Sequence, residues 1–515
     1  MPKPNEKLAQ SLTALRELQQ AGQRVFQAKQ FRRLDRERLA KNGFIQEVVP
    51  GWWISSTPGL RQGDSTPWYA SFWEFCARYC DARFGTKWYL SPEQSLLLYA
   101  ENTIIPDQVI VCSPNGTNNK IALPFGTSLY DLKQSQALLA SKLIVREGLR
   151  VFVPAAALVQ VSESFFKQNP IEIRVTLEST RDASEVLQHL LEGGHSTVAG
   201  RLAGAFRHIN RPDIADEIIK TMKVAGYDVR ESNPFGRERA FEVAPSTSPI
   251  VGRMQALWEV AREAVIEVFP PPPGLPAHPD AYLQSVEDIY RSDAYNSLSI
   301  EGYTVSPQLI EQVRSGDWNP DHTADDRQTR DALAARGYWQ AFQAVKGSVA
   351  QIIAGAGAGG LVRSTHRDWY RDLFQPCVAA GLINAGALAG YRSHPVYLHG
   401  SRHVPPRWEA VRDAMPALFD LLEREPNAGV RAVLGHWLFG YIHPYPDGNG
   451  RMARFLMNAM LASGGYPWTV IRVEDRTTYL AALDSASIRT QIRPFTQLII
   501  ESMQRPAHRF AGQEP

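Results

Sequence analysis

A run of twelve residues in the C-terminal part of the chain, from His443 to Arg454, combines side chains suited to chemistry on a nucleotide. It reads HPYPDGNGRMAR. The imidazole of His443 has an ordinary pKa near ~6.5 and can remove a proton from a hydroxyl group at neutral pH. Asp447 offers the kind of carboxylate oxygen that holds Mg²⁺ together with substrate phosphates. The run therefore predicts a base and a metal ligand close together.

The second half of this run has the composition of a phosphate-binding turn. Gly448, Asn449 and Gly450 can adopt backbone conformations closed to bulkier residues, so that successive N–H groups can face an anion. From Arg451 the sequence RMARFLMNAMLASGG has apolar residues at helical spacing and ends in two glycines, which predicts a helix that begins at this turn. The dipole of that helix favours a phosphate at its N-terminus. Arg451 and Arg454, three residues apart, can reach two phosphates of one polyphosphate.

The run resembles the signature of the Fic family, HPFx(D/E)GNGRxxR, over its whole length, with Tyr445 in place of the usual phenylalanine. A histidine-proline turn before an ordinary helix is the alternative, and it would explain only single residues of the set. The resemblance implies transfer of AMP from ATP to a Ser, Thr or Tyr hydroxyl of a protein, with release of pyrophosphate. It also implies the role of each signature residue: the base is His443, the Mg²⁺ ligand is Asp447, the cradle of the α- and β-phosphates is Gly448, Asn449 and Gly450, and the groups that orient the β- and γ-phosphates are Arg451 and Arg454.

A second segment, SLSIEG from Ser297 to Gly302, resembles the family's inhibitory motif, (S/T)xxxE(G/N). In proteins arranged in this way the glutamate, here Glu301, pairs with the second arginine of the signature, here Arg454. One guanidinium cannot pair with a glutamate and a γ-phosphate at once, and the carboxylate also repels the triphosphate. The alternative is that Ser297 and Glu301 are ordinary helix-surface residues, because so short a motif often matches by chance. Beside the signature, the motif predicts an autoinhibited enzyme.

Two further segments resemble parts of the same family. Residues 390–406 alternate apolar and polar side chains around Gly400 and are predicted to form a β-hairpin. This hairpin resembles the Fic flap, whose edge binds the target protein as an added strand. Its three histidines lack the neighbouring thiolates or carboxylates that a zinc site needs. Downstream, Tyr479 resembles the family's position beside the nucleotide base, although it could equally be a core residue.

Length and composition indicate more than one packed domain, with 515 residues of which 44% are hydrophobic. No apolar run is long enough to cross a membrane and the first residues lack a secretory hydrophobic region, so we expect a cytoplasmic protein without membrane contact. The four cysteines are scattered, which favours buried thiols over a metal site. The proline-rich segment 269–279 is predicted to be a semi-rigid spacer between domains.

Residues 1–60 carry ten Lys or Arg against five Asp or Glu, a local net charge of +5 in a chain whose total is +2. Much of this excess lies in a predicted helix over 28–42, which follows another helical pattern and precedes an apolar segment. Two helices followed by a hairpin predict a winged helix whose second helix enters the DNA major groove. A solvated basic helix is the alternative. The candidate DNA-contacting residues are Lys29, Arg32, Arg33 and Arg36.

The N-terminal half also resembles the AbiEi-type antitoxin and regulator family, most clearly in the turn Pro50-Gly51-Trp52-Trp53. That resemblance covers residues 5 to about 235 and implies a regulatory role of the toxin–antitoxin kind. The resemblance rests on patterns of hydrophobic and turn residues. The sequence of this half shows no second nucleotide site.

The predicted fold is multidomain: a mainly α Fic helical fold with a β-hairpin flap, preceded by an α+β region that begins with a winged helix. We place the winged helix at 1–60, an AbiEi-like domain at 61–240, a helix and linker at 241–281, and the Fic domain at 282–505 with its inhibitory helix near 288–302. The predicted function is autoinhibited protein adenylylation with ATP and Mg²⁺, with a target protein bound near 390–406 and DNA bound through 1–60. Two alternatives stay open, a nucleotide-sensing DNA-binding regulator with little transferase activity and an enzyme that removes AMP from modified proteins. The oligomeric state is also open, and a homo-oligomer is one arrangement that could relieve the inhibition.

Overall fold

The computed structural model describes residues 4–59, 63–135, 140–235, 248–318 and 326–505. The chain forms two compact units. The N-terminal unit comprises Met1–Arg253 and Tyr397–Val404, and the C-terminal unit comprises Met254–Val396 and Pro405–Pro515. Within the described residues, no helix has the length and apolar character needed to cross a bilayer.

The N-terminal unit begins with two helices and a small antiparallel sheet. These elements are α1 (Pro4–Gln20), β1 (Val25–Gln27), α2 (Arg33–Lys41), β2 (Ile45–Val49) and β3 (Trp52–Ser55), with the strands in the order β1-β3-β2. The predicted helix over 28–42 is too long, because α2 begins only at Arg33 and Ala28–Gln30 form a short 3-10 turn. Phe31 is extended and buried between the two, which breaks the helix. The strand β1 that precedes this turn is not anticipated by the sequence pattern.

The rest of the N-terminal unit combines a mixed sheet with a helical cluster. The sheet has the order β4-β5-β7-β6, with β5 parallel to β7, and a separate hairpin pairs β8 with β9. The bounds are β4 (Tyr89–Leu90), β5 (Gln108–Ser113), β6 (Asn119–Ala122), β7 (Ser128–Lys133), β8 (Leu143–Arg146) and β9 (Leu149–Phe152). The helices are α3 (Thr66–Phe84), α4 (Pro92–Tyr99), α5 (Pro154–Gln160), α6 (Glu163–Gln168), α7 (Pro170–Ser179), α8 (Ser184–Gly193), α9 (Ser196–His208) and α10 (Pro212–Val224). All four cysteines of the chain are free and buried, as predicted.

The predicted β-hairpin over 390–406 is wrong, because the structure assigns no strand pair to this segment. The segment does form a turn, in which the amide of Ser401 donates to the carbonyl of Leu398. The residues around this turn, 397–404, belong to the N-terminal unit. There His403 makes an antiparallel bridge with Ile104, and the amide of Ile105 donates to the carbonyl of Arg402 at 3.0 Å. The backbone groups that would join two hairpin strands are thus used by residues 103–105.

The C-terminal unit is helical. Its elements are α11 (Pro249–Ile266), which starts in the N-terminal unit, α12 (Pro279–Ile300), α13 (Pro307–Ser315), α14 (Asp326–Ile353), α15 (Ala358–Ala379), α16 (Val411–Arg424), α17 (Ala428–Ile442), α18 (Asn449–Ala462), α19 (Arg476–Arg489) and α20 (Arg493–Gln504). Nearly every residue of α18 is buried, and α14, α15 and α17 pack against it. The helix that the signature predicts is therefore the central element of this unit.

The proline-rich segment 269–279, predicted as a spacer between domains, packs within the C-terminal unit instead. The ring of Phe269 lies against Gly429, where an added Cβ atom would come within 2.3 Å of it. The amide of Gly274 donates to the carbonyl of Gly464 at 3.0 Å, just beyond the end of α18. Because the segment has these fixed partners, its prolines add rigidity to the helical unit rather than reach between domains.

Candidate active site

The loop between α17 and α18 carries the signature, and its shape is set by two positive-φ residues and one side chain. His443 ends α17 with φ 50°, and Gly448 precedes α18 with φ 78°. The side chain of Asn449 spans the loop, since its Nδ2 donates to the carbonyl of Tyr445 at 2.8 Å and its Oδ1 accepts from the amide of Tyr445 at 2.9 Å. Asn449 is predicted to help cradle the phosphates, and its side chain is committed to holding the loop, which leaves its backbone for that role.

Close neighbours leave no space for a side chain at the two glycines of the turn. A Cβ atom at Gly448 would meet the ring of Phe374 at 2.7 Å, and one at Gly450 would meet Oε1 of Glu301 at 2.2 Å. The carboxylate of Glu301 therefore lies directly against the first turn of α18. The first amides of a helix lack intrahelical partners and favour an anion, so Glu301 occupies the place that the sequence predicts for a phosphate.

His443 is held in the form that a general base requires. Its Nδ1 lies 3.4 Å from the carbonyl oxygen of Gly440, which can only accept, so the ring proton belongs on Nδ1 and the lone pair on Nε2. Burial lowers the pKa of His443 to about 4, against the opposing effects of the Gly440 contact and the Glu301 charge. The imidazole is therefore neutral at physiological pH and can accept a proton.

Asp447 and Arg451 face each other at the start of α18. The side chain of Asp447 is 62% exposed, and its Oδ2 lies 3.6 Å from Nη2 of Arg451, beyond hydrogen-bond distance. Arg451 is buried, and its Nε and Nη2 have no hydrogen-bond partner among the residues that the structure describes. A buried guanidinium with unused donors is costly unless an anion joins it, which fits a phosphate-binding role.

The exposed carboxylate of Asp447 suits a Mg²⁺ ion that keeps water and phosphate ligands. In the residues that the structure describes, no cluster of three or more His, Cys, Asp or Glu side chains is arranged to hold a metal. Mg²⁺ at this place would therefore take one carboxylate from the protein and its remaining ligands from water and the nucleotide.

The predicted pairing of the inhibitory motif with the signature is present in the structure. Nη2 of Arg454 donates to Oε1 of Glu301 at 2.7 Å and to the carbonyl of Ser297 at 3.1 Å, and its Nε donates to Oγ of Ser297 at 2.9 Å. Burial raises the pKa of Glu301, but the charges of Arg454 and Arg451 outweigh it and leave the pKa lowered. The ion pair raises the pKa of Arg454, against a burial effect that lowers it. Gly302, at φ 86°, ends α12 and turns the chain away.

Tyr479, which resembles a residue beside the nucleotide base, is buried and lies next to Arg454. Its hydroxyl lies 2.8 Å from Nε2 of His436 and 3.5 Å from Nη1 of Arg454, and only 2% of the residue is exposed. The structure thus gives Tyr479 a core position, and its contact with the nucleotide base stays a prediction.

The sequence gives no indication of a further residue that fixes the loop, Arg392. It is buried, its amide donates to the carbonyl of Pro444 at 2.8 Å, and its Nε donates to the carbonyl of His443 at 2.8 Å. Nη2 also reaches the carbonyl of Ile442 at 3.3 Å. Since these acceptors lie about 50 residues along the chain, no local spacing could indicate them.

The predicted DNA-contacting residues lie in the 3-10 turn before α2 and around the first turn of α2, and they differ in exposure. Lys29, Arg32 and Arg33 are exposed, and Arg33 pairs with Glu37 at 2.8 Å on the surface. Arg36 is partly buried, donates to the carbonyl of Ala28 at 3.1 Å and lies over the ring of Trp53. Three of the four cations thus face solvent, while Arg36 stabilises the turn before the helix.

Comparison with known proteins places the signature within a known domain. Residues 360–461 match the Fic/DOC family. A protein adenylyltransferase Fic from Nematostella vectensis is 41% identical over 119 residues, which are 22% of this chain and 27% of that protein. The protein adenylyltransferase fic-1 from Caenorhabditis elegans is 29% identical over 135 residues, which are 25% of this chain and 26% of that protein. The match thus spans about a quarter of the length of these curated relatives.

Among solved structures, a fragment of Fic-1 from C. elegans aligns with 65% of this chain and 95% of its own length, at 18% identity and a TM-score of 0.36. A Fic domain containing signaling protein from Bacteroides thetaiotaomicron aligns with 49% of this chain and 92% of its own length, at 19% identity and a TM-score of 0.34. In sequence, residues 360–461 of the C-terminal unit are thus similar to the Fic/DOC family, and a segment of this chain is similar to protein adenylyltransferases.

Proposed function

We propose that this protein is a Fic-type protein adenylyltransferase that transfers AMP from ATP to a Ser, Thr or Tyr hydroxyl of a target protein. The observation that carries the proposal is the first turn of α18, where a neutral imidazole, an exposed carboxylate and two buried guanidinium groups surround an anion-binding helix N-terminus. The sequence similarity to protein adenylyltransferases covers this same turn.

The chemistry follows from the positions of these groups. Nε2 of His443 takes the proton of the target hydroxyl as its oxygen attacks the α-phosphorus of ATP. The new bond joins this oxygen to the α-phosphorus, and the bond from the α-phosphorus to the bridging oxygen breaks, so that pyrophosphate leaves with the electron pair. The amides of α18 and the unused donors of Arg451 stabilise the charge on the phosphates. Asp447 would hold Mg²⁺, which neutralises phosphate charge when bound.

The arrangement around Arg454 supports autoinhibition. Glu301 accepts a hydrogen bond from Arg454 and lies against Gly450, so one carboxylate blocks both the second arginine and the helix amides. A γ-phosphate cannot occupy that position at the same time, and its negative charge adds repulsion. We propose that the enzyme is inactive until Glu301 moves.

Label transfer from α-³²P-ATP and Mg²⁺ to the protein itself and to cell lysate tests this proposal. The full chain is compared with Glu301→Gly, with Glu301→Gly plus His443→Ala, and with Glu301→Gly plus His278→Ala. His278 is exposed and its side chain makes no capping hydrogen bond, so it is a matched histidine control. We expect labelling to rise in the single variant, to persist with the His278 change and to vanish with the His443 change.

Other outcomes separate the alternatives. ATP binding without transfer by any form would favour a nucleotide-sensing regulator over an enzyme. Release of AMP from labelled protein by the unmodified chain, lost in Glu301→Gly, would assign Glu301 a role in removing AMP. Binding of the target protein near 390–406 stays a prediction, since a target strand would need the backbone groups that residues 103–105 now occupy.

We further propose that the N-terminal unit binds DNA through the start of α2. The proposal is supported by the exposed Lys29, Arg32 and Arg33 beside a helix and a three-stranded sheet. A gel-shift assay with the DNA upstream of its own gene compares the full chain with a form in which these three residues are alanine. The control replaces three other exposed lysines of the same unit, which are Lys167, Lys220 and Lys223.

Because both triple variants remove three positive charges, a general loss of charge would weaken them equally. We expect roughly ten-fold weaker binding for the first variant and a smaller salt dependence, as phosphate contacts require. Equal binding by the two variants would remove the DNA-binding proposal without affecting the enzyme.

A further inference from the structure

A polar cavity lies beside the pair of Glu301 and Arg454. It is lined by Glu301, Gly302, Tyr303, Arg330, Asp331 and Asp447. Three of these residues carry carboxylates, and their charges decide which kind of ligand the cavity can bind. The lining combines the metal ligand of the signature with a cation, Arg330, that lies outside the signature and near the start of α14.

Two of the three carboxylates already have partners. Glu301 pairs with Arg454 at 2.7 Å, and Asp331, which is buried, accepts from the amide of Thr304 at 3.2 Å. The third, Asp447, is the exposed candidate ligand for Mg²⁺. In the described part of the chain these carboxylates do not form a three-residue metal cluster. The cavity is therefore not a second cation site built by the protein.

The cations around the cavity are arranged about one aromatic ring. Two guanidinium groups contact the ring of Tyr303, with the Cζ of Arg330 at 5.5 Å from the ring centroid and the Cζ of Arg451 at 5.2 Å. Both positive charges also act on the thiol of Cys377, where they oppose the rise in pKa that burial causes. Arg330 and Arg451 thus lie in the same electrostatic environment. Asp447, a residue of the signature, also lines the cavity.

Arg330 is the cation of this pair that can move. It is exposed, and no carboxylate or carbonyl pairs with its guanidinium among the residues that the structure describes. Its neighbour Asp331 fixes the backbone by its contact with Thr304, so that the side chain starts from a defined place at the cavity wall. Arg451, in contrast, is buried with unused donors in the signature loop.

We infer that Arg330 binds the β- and γ-phosphates of the nucleotide, as a specificity-determining residue supplied from outside the signature. The inference rests on the proposed function, since it takes the triphosphate to lie on α18 and Asp447. Asp447, which would hold the metal, and Arg330 line the same cavity, so the terminal charges of a triphosphate bound through that metal would lie within reach of the guanidinium once it leaves Tyr303. AMP has no phosphate beyond the first and gains nothing from this residue.

Binding of ATP, ADP and AMP to the full chain in Mg²⁺, measured by isothermal titration calorimetry, tests the inference. The variants are Arg330→Ala, Arg330→Lys and the control Arg336→Ala, which removes an exposed arginine from the same helix outside the cavity. Each is made in the unmodified chain and in Glu301→Gly. Arg330 is exposed on a helix, so its loss leaves folding intact, and thermal unfolding confirms this for each variant.

For Arg330→Ala we expect about ten-fold weaker binding of ATP, because a charge-assisted hydrogen bond is lost. AMP affinity should change less than two-fold, Arg330→Lys should recover part of the loss, and Arg336→Ala should bind like the unmodified chain. Unchanged ATP affinity in Arg330→Ala, or equal loss for ATP and AMP, would overturn the inference alone. Failure of the unmodified chain and of Glu301→Gly to bind ATP would overturn the proposed function together with it.

Discussion

The substitution Tyr445→Phe should stabilise the protein, although it removes a polar group from the signature loop. Tyr445 is fully buried, and its ring stacks on Tyr370 with 3.8 Å between centroids and 7° between planes. Its hydroxyl oxygen is also buried and has no hydrogen-bond partner among the described residues. Phenylalanine keeps the stack and removes only the unpaired hydroxyl.

The expected magnitude follows from two opposing effects. A buried hydroxyl without a partner costs about 1–3 kcal/mol relative to water. Deleting one oxygen leaves a small void, which costs a few tenths of a kcal/mol at about 24 cal/mol per Å³. The net gain should be about 1 kcal/mol, which raises the midpoint of thermal unfolding by about 2–4 °C for a domain of this size.

Tyr338→Phe is the matched control, because it makes the same chemical change at another fully buried tyrosine. The hydroxyl of Tyr338 donates to Oδ2 of Asp293 at 2.6 Å, so its removal leaves a buried carboxylate without that donor. We expect a loss of about 2–3 kcal/mol, the opposite sign to Tyr445→Phe. Urea denaturation monitored by tryptophan fluorescence measures both changes. If Tyr445→Phe destabilised the protein as Tyr338→Phe does, the reasoning about its unpaired hydroxyl would be refuted.

Four further predictions concern the site and its surroundings. Label transfer by the Glu301→Gly form should keep its rate down to about pH 4, since burial lowers the pKa of His443 to about 4 in the unmodified chain and removal of the Glu301 charge lowers that pKa further; a midpoint near 6.5 would contradict this. Burial raises the pKa of Asp293 to about 6 from 3.8, so the folded state keeps its proton longer, and this group's contribution to stability falls as pH rises from about 3 to about 7. Unfolding in urea across that range should show a drop of about 3 kcal/mol that Asp293→Asn lacks. Gly450→Ala should lower the free energy of unfolding of the unmodified chain, because the added carbon meets Oε1 of Glu301 at 2.2 Å. In the Glu301→Gly form the same change should raise the free energy of unfolding by about 0.5–1 kcal/mol, since alanine is favoured over glycine in a helix. Equal effects in the two chains would exclude the clash. Arg402→Ala removes a hydrogen bond to the carbonyl of Ile105 at 2.9 Å and should speed amide hydrogen exchange in residues 103–105, whereas unchanged exchange would show that the backbone bridge alone holds them.

The candidate site could be predicted largely because its residues are contiguous. A base, a metal ligand, a glycine turn and a helix within twelve residues can be placed by local rules alone, and the structure gives the expected helix at Asn449–Ala462. The pairing of Glu301 with Arg454 joins positions 153 residues apart, and only a family resemblance could suggest it. Arg392 and Arg330 act through contacts made in the folded chain, so neither spacing nor composition indicates them.

The wrong predictions share a physical cause, which is tertiary context overriding a local pattern. The alternation in 390–406 predicts a hairpin, but the backbone groups of this segment pair with residues 103–105. A period-two pattern determines which side chains share a face of a strand and does not determine the partner of that strand. The basic segment 28–42 has helical composition, but burial of Phe31 ends the pattern before α2. The prolines of 269–279 favour an extended chain in any setting, whether that chain is a spacer or packs on Gly429 and Gly464.

In the autoinhibition proposed above, the inhibited and active states differ by one carboxylate at Arg454. Its Nε and Nη2 donate to the hydroxyl and the carbonyl of Ser297, and its Nη1 lies 3.5 Å from the hydroxyl of Tyr479. These acceptors are neutral and stay in place whether or not Glu301 is paired, so the guanidinium is already oriented when the carboxylate leaves. A γ-phosphate then replaces one anion by another at a fixed donor, without reordering of the buried arginine. We therefore propose that relief of inhibition requires movement of Glu301, which follows Ile300 at the C-terminal end of α12 and precedes Gly302, and does not require movement of Ser297 or unfolding of the helix.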